Sequence, residues 1–137
     1  MLFRSCAGGV VFYGDRVYLL KNEKGEWVLP KGAIQAGLLS QEVAKARVKE
    51  EAGIAAEILS GAGETCYEFY SMSRKMPVCN EITWYVMRAV DGEHGYNRSL
   101  GFTDGGYFPM EDAVKRATYS QDKALIRQAC AKYKGLV

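Results

Sequence analysis

From Pro30 to Ile54 the chain reads PKGAIQAGLLSQEVAKARVKEEAGI, and no other stretch restricts the fold so tightly. Pro30 stops a short apolar run, and Gly32 and Gly37 make a loop of Lys31–Leu39. Ser40 has the side chain of an N-cap, so a helix is expected over Gln41–Ala52. Gly53 ends it, because glycine accepts the left-handed backbone of a helix C-terminus. Val43, Ala44 and Val48 recur at helical spacing and mark the inward face. Near its end the helix carries Glu50 and Glu51 side by side. Two carboxylates there supply the oxygen ligands that a hard cation such as Mg²⁺ prefers, and a held cation would neutralise phosphate oxygens and position water against phosphorus. Paired glutamates are also common on solvated helix faces, so residue types alone leave both readings open.

Around this segment the periodicity is that of strands. Cys6–Tyr13 and Arg16–Lys21 are β-rich runs separated by Gly14-Asp15, a pair that tolerates the positive φ of a tight hairpin. Glu26–Leu29 is a third short run. Further strands are expected at Ala56–Leu59, Thr65–Ser71, Glu81–Val90 and Tyr107–Pro109, and an amphipathic helix at Ser120–Tyr133 with Leu125, Ile126 and Ala129 inward. Strands, helix, strands, helix is the order of an α/β domain in which a mixed sheet is sandwiched between helices. With no linker or repeat to divide it, residues 1–137 are expected to form a single domain.

Composition narrows the function classes. A net charge of +2 with no dense Lys/Arg run argues against a nucleic-acid binder and leaves room for a small anionic ligand held by local cations. Cys6, Cys66, Cys79 and Cys130 include no CxxC pair, and His94 is the only histidine, so zinc-ligand spacing is absent. Reduced, packed thiols in a cytoplasmic protein are the expectation. No apolar run approaches the ~20 residues of a membrane span and no signal peptide is read at the start, so the Asn97-Arg98-Ser99 sequon carries no weight. His94, in the polar EHGYN stretch, is expected at the surface. Gly61-Ala62-Gly63-Glu64-Thr65 lacks the Gly-Lys-Ser/Thr that a phosphate loop requires.

The Pro30–Ile54 segment resembles the Nudix box of the MutT-like hydrolases. Gly32, Val48, Glu50, Glu51, Gly53 and Ile54 fall in register with it without insertion, and Trp27–Lys31 resembles the strand that leads in. The opening AGGVVF looks like the family's first strand. The tail from Tyr107 to Ala131 is similar to the end of the branch that hydrolyses diadenosine polyphosphates. The resemblance implies the Nudix fold and a site built on Glu50 and Glu51, with a metal held at Gly32, Glu50 and Glu51. Three box positions depart: Leu38 stands at the first glutamate, Ala46 at the arginine, and Arg47 at the glutamate that serves the family as metal ligand or general base. Asp104, the acid nearest the position of a further family carboxylate, and Glu42, about 80° around the helix from Glu50, are candidate substitutes.

Arg47 precedes Glu50 by three residues and Glu51 by four, so the three share one helical face and are grouped as the candidate catalytic residues. A guanidinium paired with those carboxylates would sit where the metal belongs and repel an incoming cation. As an exposed pair it would contribute only about 0.3–0.5 kcal/mol. Candidate substrate-binding residues are Arg4, Lys31 and Lys75 for phosphates, with Arg74 nearby, and Tyr67 and Tyr119 for a base; Phe69 and Tyr70 are further stacking candidates. Two readings compete. In one, the chain is a pyrophosphohydrolase of nucleoside or dinucleoside polyphosphates, dependent on Mg²⁺ or Mn²⁺, with weakened or altered activity. In the other, it is a catalytically inactive, metal-independent module of the same fold that binds a nucleotide. A carboxylate of Glu42 or Asp104 beside Glu50 and Glu51 favours the first; an Arg47 bridge between the glutamates favours the second. A third reading, a purely structural or interaction role, treats the cleft as a relic.

Overall fold

The computed structural model describes residues 1–137 as a mixed sheet between helices. Strand β1 (Leu2–Tyr13) turns at Gly14, φ 60°, into β2 (Arg16–Asn22), followed by β3 (Trp27–Val28). The expected loop after Pro30 begins instead with a short strand, β4 (Lys31–Ala33), paired antiparallel with Cys6–Gly8 of β1. Helix α1 (Ser40–Ala52) comes next, then the long hairpin of β5 (Ala56–Ser71) and β6 (Met76–Ala89). A 3₁₀ turn (Arg98–Leu100) leads to β7 (Phe102–Pro109), α2 (Met110–Arg116) and α3 (Ser120–Leu136). β1 is the hub. It runs parallel to β6 along one edge, and its other edge takes β4 near the start and β2 at the end.

Alternation along β1 builds two cores. Cys6, Val10 and Phe12 point to one face, where α2 and α3 bring Ala113, Leu125, Ile126 and Tyr133; Phe12 stacks on Tyr133. Ala7 and Val11 point to the other, where α1 brings Val43, Ala44, Val48 and Ala52. The Gly8-Gly9 pair allows close packing on both sides. A Cβ on Gly8 would lie 2.5 Å from the Pro30 carbonyl oxygen and 2.6 Å from Trp84, and one on Gly9 would strike Met87.

Several expectations change at this level. Ser40 is the first helical residue rather than the N-cap, a position Leu39 takes with no side-chain bond, and the Ser40 hydroxyl instead pairs with that of Tyr85. Gly53 caps the C-terminus as expected, at φ 65°. The two strands expected at Ala56–Leu59 and Thr65–Ser71 are one, because irregularities at Ile58/Ser60 and Gly61/Gly63 absorb residues without breaking the ladder. Helix α2 is an addition to the expected elements, being too short for its periodicity to register. No helix is long and apolar enough to cross a membrane.

The cysteines differ most. Only Cys6 and Cys130 are free and buried; Cys66 and Cys79 form a disulfide. Register explains it. Glu68 pairs with Cys79 and Cys66 with Glu81, so the two sulfurs lie diagonally across the β5–β6 ladder on one face. At a sequence separation of 13 residues the link contributes about 3 kcal/mol. Thiol titration of the denatured, unreduced chain should therefore count two reactive cysteines. Cys66→Ser should lower the urea midpoint of unreduced protein and leave that of reduced protein nearly unchanged.

Candidate functional site

Pro30 is buried, and Lys31 directly after it enters β4 beside β1. This brings the strand against the last turns of α1. There the Lys31 backbone N–H donates to Glu51 Oε1 at 3.3 Å, and Arg47 donates to Glu51 Oε2 and, at 3.1 Å, to Glu50 Oε2. The guanidinium thus bridges both glutamates. The stem and Nε of the same side chain pack against Gly32, where any Cβ would collide with them. From the other side Asn97 holds the end of the helix: its side chain donates to the Glu50 carbonyl and its backbone N–H to the Glu51 carbonyl, both at 3.0 Å. The sequon asparagine, set aside in the sequence, is a fastening of α1.

The bridge is not the exposed ion pair expected from the sequence. Glu51 is only 4% exposed, the single buried charged residue of the chain. Burial pushes its carboxyl above the ordinary glutamate value, even though Arg47 and Lys31 pull the other way. The consequence for metal is direct. Mg²⁺ demands near-octahedral oxygen ligation, yet both oxygens of Glu51 and one of Glu50 are already taken by N–H donors, and a cation stands between the two side chains. The residues as arranged do not fit a resident divalent ion. Neither candidate substitute is near. Glu42 is exposed on the first turn of α1, and Asp104 is exposed on β7, its carboxylate accepting from the Gly105 N–H at 2.7 Å.

Beside this bridge opens a cleft of about 660 Å³ between the sheet and the start of α3. Glu51 forms its inner end, with Lys31 and Gly32 adjoining. On the sheet side, Arg4, Asn80 and Tyr67 stand in one row across β1, β6 and β5. The opposite wall is set by Thr118, whose N–H and hydroxyl clip the backbone of Trp27 and so place Tyr119 over the cleft. The Tyr119 hydroxyl donates to Glu26, which Asn22 also donates to. These bonds hold the Glu26 carboxyl below its usual range and push the Tyr119 phenol up to about 12. Tyr67 and Tyr119 meet edge to face at 6.3 Å. Asp122, in the first turn of α3, also lines the cleft, and burial raises its carboxyl against the pull of Lys31.

With this geometry the comparisons with known proteins agree. The NUDIX domain model matches residues 2–129. The chain belongs to the NUDIX family. MutT4 of Mycobacterium tuberculosis is 29% identical over 103 residues, 75% of this chain, and the matched part spans 40% of that protein's length. Among solved structures, a Caenorhabditis elegans Ap4A hydrolase binary complex superposes with a TM-score of 0.73 at 21% identity, covering 96% of this chain and 98% of that one. A NUDIX hydrolase from Clostridium perfringens gives 0.77 at 14% identity, over 95% and 97% of the two chains. At these identities the structures share the fold.

Within the NUDIX frame the predicted site residues separate. Arg4, Lys31, Gly32, Glu51, Tyr67 and Tyr119 come together at the cleft. Glu50 and Arg47 sit just behind it, joined to it through Glu51. Lys75 does not reach it; together with Arg74 it occupies the turn between β5 and β6, at φ 53°. Leu38 is exposed in the loop before α1. His94 is exposed as expected and packs edge-on against Tyr18 and Tyr107. Glu26, Asn80 and Asp122 were missed, since only pairing of β6 with β1 and docking of α3 bring them to one cavity.

Removing the guanidinium tests the bridge. Arg47→Met should destabilise the fold by about 3 kcal/mol at neutral pH, because it strands a buried carboxylate. A carboxyl whose folded-state pKa is raised favours the folded state when protonated. Stability is therefore highest below the unfolded-state glutamate pKa and is lost as pH rises through the folded value. The deficit of Arg47→Met should accordingly shrink on acidification toward the ordinary glutamate range. Adding Glu51→Gln should restore most of it at neutral pH, as read by urea denaturation across pH.

Proposed function

We propose that this NUDIX domain is a metal-independent binding module for a nucleoside or dinucleoside polyphosphate and does not hydrolyse it. One observation carries the reading: Arg47 occupies the carboxylate oxygens that a catalytic cation would need. Hydrolysis of a phosphoanhydride requires stabilised phosphate charge and an activated water. Arg4 and Lys31 supply fixed positive charge along the cleft, and Tyr67 and Tyr119 supply aromatic surface. No unengaged carboxylate stands at the box position that Arg47 fills, so charge stabilisation remains while water activation is lost. The Ap4A hydrolase and MutT4 likenesses support nucleotide-type ligands as the class to test.

The test combines binding and turnover. Titration calorimetry with diadenosine tetraphosphate and nucleoside triphosphates should show binding that persists in EDTA, weakened about tenfold by Arg4→Ala or Lys31→Ala, the loss of one charge-assisted contact. Phosphate release from the same compounds should stay at background with Mg²⁺ or Mn²⁺. Metal-stimulated release by the unmodified protein would overturn the proposal. The double variant Ala46→Arg, Arg47→Glu should gain metal-dependent release.

A further inference from the structure

The register that forms the disulfide also gathers four ligand-type side chains on the sheet face away from the cleft. Cys66 pairs with Glu81 and Glu68 with Cys79, with no irregularity between them, so alternation sends all four to one side. A carboxylate oxygen of Glu68 and the two sulfurs all lie within 4.8 Å of one another. On the same face β1 offers Phe3 beside Cys79 and Ser5 beside Glu81, and neither brings a positive charge. Neither glutamate belongs to any of the chain's four ion pairs. Two carboxylates thus flank two sulfurs with no protein cation in the patch.

Metal ligation by sulfur needs the thiolate, so the intact disulfide excludes it. Reduction changes this. A dithiol gives two electrons and two protons to the S–S bond, becoming a disulfide itself, and leaves thiols at Cys66 and Cys79. A thiophilic cation then displaces the two thiol protons and is held by two thiolates and the Glu68 carboxylate, with the fourth position left to water. Zn–S bonds of about 2.3 Å at tetrahedral angles place two sulfurs about 3.8 Å apart. With Cα atoms 6.6 Å apart, side-chain rotation alone provides that separation. Access comes from the solvent side. Cys79 is 1% exposed while bonded, but its bonded partner Cys66 and its cross-strand neighbour Glu68 are exposed, so the cation enters between the parted sulfurs. Thiolate ligands select Zn²⁺ over Mg²⁺ and Ca²⁺.

We infer that Cys66, Glu68 and Cys79 form a redox-gated Zn²⁺ site, closed as a disulfide and opened by reduction. It lies on the opposite face of the sheet from the cleft and stands independently of the binding function proposed above.

The test uses the full chain under exclusion of oxygen. The protein is reduced with a dithiol, freed of it and titrated with Co²⁺ alone, whose thiolate charge-transfer absorption reports sulfur ligation, and then with Zn²⁺. One Co²⁺ per chain should bind with a dissociation constant of about 1 μM or tighter, displaced by Zn²⁺ but not by excess Mg²⁺. Unreduced protein should give no such absorption. Cys66→Ser should abolish it, with the urea midpoint of the reduced variant showing that the fold is kept. Glu68→Gln, which leaves both cysteines and their disulfide in place, should weaken binding about tenfold or more, since even groups that only orient a metal ligand contribute that much. Absorption that persists in Cys66→Ser would assign the metal to Cys6 or Cys130 and overturn the inference. Full affinity in Glu68→Gln, or no uptake by the reduced protein, would overturn it equally.

Discussion

The side chain of Arg47, packed on Gly32 and shared between Glu50 and Glu51, is the interaction on which the site depends. Glu51 is buried where the sheet meets α1, and a buried carboxylate needs either a proton or compensating donors. Arg47 and the Lys31 N–H are those donors. The Lys31 N–H bond ties the C-terminal half of α1 to β4, which backbone pairing joins to β1, so charge compensation helps to fix the cleft's inner wall. Arginine suits the position for a geometric reason: its planar fork reaches two carboxylates at once, which the point charge of a lysine would not.

That arrangement exchanges one kind of cation for another. A divalent ion in such a place can take a phosphate oxygen and a water molecule as additional ligands. A guanidinium cannot coordinate water into a nucleophile, and its two terminal nitrogens donate to the glutamates. Elsewhere in the cleft, Arg4 and Lys31 bring cations on β1 and β4, Tyr67 lies in the same row of the sheet as Arg4, and Tyr119 and Asp122 face them from the start of α3.

The sheet decides which residues meet. Because β1 runs parallel to β6 in register from Leu2 to Phe12, Arg4, Cys6 and Gly8 lie beside Asn80, Ile82 and Trp84 on the α3 face. Their neighbours one step along point to the opposite face. Cys66 and Cys79 lie on that opposite face, outside the cleft cavity, although each is adjacent in sequence to a residue that lines it.

Local chemistry fixed what is local. The Gly14-Asp15 hairpin, the α1 helix with its Gly53 cap, the two α/β faces and the coincidence of Arg47, Glu50 and Glu51 were all legible as spacing in the chain, because turns and helices are set by near neighbours. The family box was legible for the same reason, being one contiguous segment. What the chain could not disclose depends on distant pairing. The burial of Glu51 comes from β4 docking on β1, and it turns a weak surface pair into a structural bridge. The disulfide comes from the β5–β6 register, and Asn97's grip on α1 from a return of the chain 47 residues later. Asn80 is an ordinary polar residue in a strand until β1, β5 and α3 enclose it, and its unpaired oxygen exists only because three separate elements close around it.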